Sequence, residues 1–151
     1  MSGHTLYTEI EIAAPPPRVW EVLTDLERWS EWNHLLTLEL RGPLQEATQG
    51  RLTLSLPMPP LLRPPLERAR IPVRLVTVRR ERELAWQGGI PRVMVGCHGF
   101  RLEPTSIGTR VVHTETFRGL LAGLFVRLAE QQMYPQYRKL NEALRTACER
   151  D

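Results

Sequence analysis

Two histidines and a glutamate stand at alternate positions of two segments that face each other across a turn: His98 in the first, His113 and Glu115 in the second. A carboxylate favours the imidazolium, whereas burial penalises charge on both partners. A His/Glu pair on an apolar face can therefore hold a proton and pass it to a ligand, polarising a carbonyl or helping to remove a proton. The same pair can equally pin two strands together inside a core. No third residue completes a recognisable triad, and His113 lies diagonally near both. Two histidines and a carboxylate are also ordinary zinc ligands, but alternate strand positions supply no close-spaced further ligand, so no metal is expected.

The elements that must position these groups follow from the pattern. In steps of two, Met94, His98, Phe100 and Leu102 share one side of the first segment, and Val111, His113, Glu115 and Phe117 share one side of the second. The opposite sides carry Arg101, Glu103, Arg110, Thr114, Thr116 and Arg118, a solvent face. Folding the segments about Pro104–Gly108 sets Leu102 opposite Val111, Phe100 opposite His113 and His98 opposite Glu115.

Upstream, Leu6, Thr8, Ile10 and Ile12 alternate with Tyr7, Glu9 and Glu11, which predicts a first strand over residues 4–14. Pro15, Pro16 and Pro17 stop it, and proline suits the first turn of a helix. Val19, Trp20, Leu23 and Leu26 then recur at helical spacing, predicting a helix over residues 16–24, with Asp25 as cap of a second short helix carrying Trp29 and Trp32. Further strands are predicted at Leu36–Leu40, Leu52–Met58, Ile71–Arg79 and Glu83–Gly88. After Gly119 the period changes to 3.6, and Leu121, Leu124, Phe125, Leu128, Tyr137, Leu140, Asn141, Leu144 and Cys148 form a stripe of one long helix. Pro135 should kink it, because its ring removes the partner of the Gln131 carbonyl.

With 151 residues and no repeat or linker, the chain suits one domain spanning 1–151. Its 42% hydrophobic and 25% charged residues place it among globular proteins rather than disordered or fibrous ones. A net charge of +3, with arginines spread among glutamates, does not point to nucleic-acid binding. Cys97 and Cys148 are isolated, so free buried thiols are expected rather than a redox pair or zinc site. No signal-like start and no apolar run of membrane-spanning length is present, so no transmembrane segment and a cytoplasmic location are expected.

The order strand, two short helices, six strands, long helix predicts an α+β protein whose curved antiparallel sheet is covered on one face by the terminal helix. The run from Ala14 to Trp20, then Asp25-Leu26-Glu27-Arg28-Trp29 and Glu31-Trp32-Asn33, and later His98–Leu102 and Gly108–Gly119, resemble the START/Bet v 1-like superfamily, which includes polyketide cyclase and dehydrase-like proteins. The resemblance covers almost the whole chain. It implies the helix-grip fold, with about seven strands wrapped around the C-terminal helix and a deep cavity between them. Different members use that cavity to carry lipids, hormones or polyketides, or to catalyse cyclisation and dehydration without a cofactor. Fold alone does not select among these.

Within that frame the candidate ligand contacts are Trp32, Phe100, His113 and Phe117, with Leu121, Leu124, Phe125 and Leu128 as the helical wall, and His98 with Glu115 as the candidate catalytic dyad. Gln131 and Gln132 interrupt the helical stripe and would open a polar patch where a ligand enters. The connection Pro57–Arg70 is rich in proline yet carries Leu61, Leu62 and Leu66, with Arg63, Arg68 and Arg70. It either folds back on the sheet or serves as a cavity lid, a homodimer contact or a membrane contact. Three functions stand open: binding a hydrophobic small molecule, a cofactor-independent cyclase, aromatase or dehydratase using the dyad, and a protein-interaction module acting through the proline-rich connection.

Overall fold

The structure, a computed structural model, describes residues 3–57, 59–62 and 68–150. Strands β1 (His4–Ile12), β2 (Leu36–Leu40), β3 (Gln49–Leu54), β4 (Arg70–Arg79), β5 (Glu83–Ile90), β6 (Met94–Pro104) and β7 (Thr109–Arg118) form one antiparallel sheet in the order β1-β7-β6-β5-β4-β3-β2. Helix α1 (Pro16–Thr24) and a 3-10 turn (Leu26–Glu31) link β1 to β2, and α2 (Ala122–Glu149) crosses the concave face. This is the curved sheet and long helix that the alternation and the change of period at Gly119 predict.

Local chemistry explains the joints. Proline at the start of α1 loses no helical bond there. The Asp25 side chain caps nothing, contrary to expectation. The turn after α1 is held instead by its backbone, with Arg28 N–H donating to the Asp25 carbonyl at 3.1 Å, and by the buried Trp29 indole donating to the Leu23 carbonyl at 3.0 Å. Asn33 Oδ1 accepts from the N–H groups of Leu35 and Leu36, which turns the chain into β2. Strand β3 ends at Leu54 rather than reaching Met58, although Leu56 stays buried through Ser55 N–H donating to Leu35 O. Met58 and residues 63–67 of the proline-rich connection, Arg63 and Leu66 among them, lie outside the described residues.

Gly119 has a φ of 121°, and a Cβ there would lie 2.5 Å from the Val93 carbonyl oxygen. Only glycine lets β7 turn this tightly into α2 against the β5–β6 hairpin. That turn sets the phase of α2, which buries Ala122, Phe125, Val126, Ala129 and Met133 along its first half. The wall proposed through Leu121, Leu124 and Leu128 is out of phase: Leu121 and Leu124 are exposed and Leu128 is half-buried. Helix α2 runs through Pro135 without interruption, with the proline on its exposed side.

A hollow with a buried histidine relay

The β6–β7 register is the expected one: His98 pairs with Glu115, Phe100 with His113 and Leu102 with Val111. All three polar groups are buried, and His98 Nδ1 is in hydrogen-bond contact with Glu115 Oε2. The chain continues inward. His98 Nε2 lies 2.7 Å from His113 Nε2, and His113 Nδ1 lies 2.8 Å from Asn141 Oδ1 on α2. Asn141 Nδ2 donates to Thr8 Oγ1 at 3.0 Å, and that hydroxyl donates to the His113 carbonyl at 3.3 Å. Stacking fixes the rings: Trp86 lies over His98 at 4.7 Å and 6°, and Phe100 over His113 at 4.4 Å and 19°. Trp86 is held by packing rather than by a hydrogen bond: it also meets Trp29 and Phe100, and its indole N–H is buried without a partner among the described residues.

Donors and acceptors along this line locate its protons. Asn141 Oδ1 only accepts, so His113 Nδ1 carries hydrogen. Burial, reinforced by neighbouring His98, pushes His113 well below its ordinary 6.5 and keeps the ring neutral, leaving its Nε2 as a lone pair. His98 Nε2 must then donate to it. One proton remains between His98 Nδ1 and Glu115 Oε2, giving either imidazolium with carboxylate or neutral imidazole with carboxylic acid. Both nitrogens of each ring are thereby engaged along a line, with no common point where a metal would sit. Among the described residues no group of three or more His, Cys, Asp or Glu side chains is placed to hold a metal ion.

Glu115 Oε1 has no hydrogen-bond partner among the described residues, and Glu115 lines a cavity of about 110 Å³ between the sheet and α2. The walls are apolar, formed by Leu52, Leu54, Ile71, Val73, Phe117, Phe125 and Met133 among others, and the ionisable lining groups are His98, Glu115 and Tyr137. Burial, and then the nearby Glu115, hold the Tyr137 hydroxyl well above its ordinary 10, so it stays a neutral donor. Glycine makes the hollow. Gly88 pairs with Gly96 across β5 and β6, and a Cβ on Gly96 would stand 2.8 Å from Glu115 Oε1 and 3.2 Å from the Phe117 ring.

Of the candidate contacts, Phe117 and Phe125 line this cavity with His98 and Glu115, whereas Phe100 and His113 stand behind His98. Trp32 does not reach it. It packs edge-on against Trp29 at 6.1 Å and borders a separate groove with Arg18, Asp25 and Arg28, because the 3-10 turn puts Trp29 inward and Trp32 outward. Gln131 is exposed, Gln132 half-buried, and neither lines the cavity. Cys148 is buried, which raises its thiol to about 12, while Cys97 is only half-buried and less raised. The sequence reading missed the Gly88–Gly96 gap and the role of Asn141. The legible signals were a polar residue on an apolar helical stripe and glycines within two adjacent strands.

The chain matches the family described as Polyketide cyclase / dehydrase and lipid transport over residues 3–149. It belongs to that family. Solved structures with the same fold include the Zhui aromatase/cyclase from Streptomyces sp. R1128, at 18% identity and a TM-score of 0.75, covering 99% of this chain and 95% of that one. TTHA0849 from Thermus thermophilus aligns at 21% identity and a TM-score of 0.73, covering 96% and 97%. Ara h 8.0201 aligns at 12% identity and a TM-score of 0.69, covering 97% and 99%. No curated protein matches the chain. Polyketide cyclase and dehydrase family membership, with this helix-grip fold, makes the hollow between sheet and α2 the place to look for function. Among the described residues no helix is long and apolar enough to cross a membrane.

Proposed function

We propose that the hollow binds a small, largely apolar molecule by one polar group, which Glu115 Oε1 and the Tyr137 hydroxyl receive. The observation that carries this reading is an apolar cavity whose ionisable lining is confined to one cluster. Its volume is near that of an apolar protein cavity of roughly 150 Å³ that takes up benzene. The buried end therefore suits about one ring, and the rest of a longer molecule extends toward the mouth. Native mass spectrometry of freshly purified protein, with para-cresol titration followed by tryptophan fluorescence, tests it. Retained apolar ligand, or saturable quenching that Gly96→Val abolishes, supports the reading. An empty protein with no saturable response to para-cresol overturns it.

A second reading is favoured by the single proton between His98 and Glu115. A bound carbonyl compound with an acidic C–H can lose that proton to Glu115 Oε1, with His98 stabilising the charge change, which is the proton transfer a cyclase, aromatase or dehydratase needs. Deuterium exchange at the central carbon of acetylacetone reads this step. The native protein should accelerate it and Glu115→Gln should not, while both still bind. Equal exchange in the two removes the dyad from any chemistry.

A further inference from the structure

One end of the cavity lies where β3 leaves, β5 turns into β6 and β7 turns into α2, since Leu54, Ile71, Gly89, Met94, Phe117 and Phe125 all line it. Beside it stand Ile90, Val93, Leu120, Leu121 and Leu124, between 37% and 74% exposed. They form one patch rather than scattered residues. Leu120 N–H donates to Arg92 O at 2.9 Å and Leu121 N–H to Val93 O at 3.0 Å, which ties the helix start to the hairpin tip. Residues 88–95 and 117–129, which form the hairpin tip and the start of α2, contain no aspartate or glutamate but include the exposed Arg92, Arg118 and Arg127. Contiguous exposed leucines with unbalanced cations need a partner that is both apolar and anionic.

We propose that this tip docks on the surface of an anionic lipid bilayer, with the leucines entering the headgroup boundary and the arginines meeting phosphates. A second copy of the chain is the poorer fit. A two-fold contact would set the patch against itself, bringing arginines together with no carboxylate of either tip to neutralise them. Met94 and Phe125 are each one residue from the patch and line the cavity, so docking would open the hollow toward the bilayer. That consequence rests on the cavity reading; the docking itself does not.

Flotation with phosphatidylcholine vesicles, pure or mixed three-to-one with phosphatidylglycerol, tests the docking at several salt concentrations. Binding to the anionic vesicles that falls with salt is expected. Loss of at least about tenfold is expected in Leu120→Ser/Leu124→Ser, whose exposed positions should leave the melting temperature unchanged. Arg127→Glu should weaken binding about fivefold or more. No binding to anionic vesicles, equal binding to neutral ones, or unchanged binding by both variants overturns the proposal. So does a dimer in analytical ultracentrifugation that the leucine variant splits.

Discussion

Where β6 runs into β7, Leu102 and Val111 close the interior together with Ile12 and with Val19 and Leu23 of α1, all in one buried cluster. At the other end of the same strands, Gly88 and Gly96 face a hollow. The surfaces differ in parallel. Every surface ion pair among the described residues belongs to the closed half, including Arg110 with Glu9 at 3.1 Å and Arg101 with Glu103 at 2.9 Å. The open end carries arginines and bare leucines instead. One alternating pattern thus makes a stable wall where inward positions carry full-sized side chains, and a hollow where two of them have none. The relay of His98, His113, Glu115 and Asn141 marks the border between the two.

Breaking the border should cost most. His98→Ala leaves the Glu115 carboxylate and His113 Nε2 without their partner, and about 3–5 kcal/mol should be lost in urea denaturation. Glu115→Gln supplies an amide donor to His98 Nδ1 and should stay within about 1 kcal/mol of the native protein. Equal losses in the two variants would contradict the placement of a single proton between them. Next, Leu23→Ala, fully buried at the closed end, should cost about 2–5 kcal/mol. Leu124→Ala at the open end should change stability by less than about 0.5 kcal/mol. Similar costs at both sites would erase the distinction between the ends.

The smallest effect sharpens the position of the border. Folding holds His113 neutral by burial, well below 6.5, so below that pH the unfolded chain takes up a proton that the folded chain refuses. Stability from this group is complete above 6.5 and drains away as pH falls toward its folded value, by up to about 1.4 kcal/mol per pH unit. Melting curves across this range should lose that component in His113→Phe. A slope unchanged by the substitution would place the acid sensitivity elsewhere.

The hairpin register was legible because a one-residue slip would turn His98, Phe100 and Glu115 to the solvent face. The phase of α2 was legible over its later turns, where Tyr137, Leu140, Asn141, Leu144 and Cys148 are buried as the stripe predicts, but not at its start. Apolar residues stand at both Leu121, Leu124 and Leu128 and at Ala122, Phe125, Ala129 and Met133, so periodicity alone admits either stripe. The turn at Gly119, packed on the Val93 carbonyl, chose the second. Asn141 was visible as a polar residue on an apolar stripe, but its partner His113 lies 28 positions away on another element.

The order of elements, the antiparallel sheet and the facing of His98 with Glu115 followed from the chain by itself, because strand alternation and turn chemistry act between near neighbours. The hollow, the engagement of Asn141 and Thr8, and the meeting of the hairpin tip with the start of α2 were decided only by the tertiary structure. Those depend on how far apart a helix and a sheet settle, and that distance is set by side-chain volume across elements rather than by any local pattern.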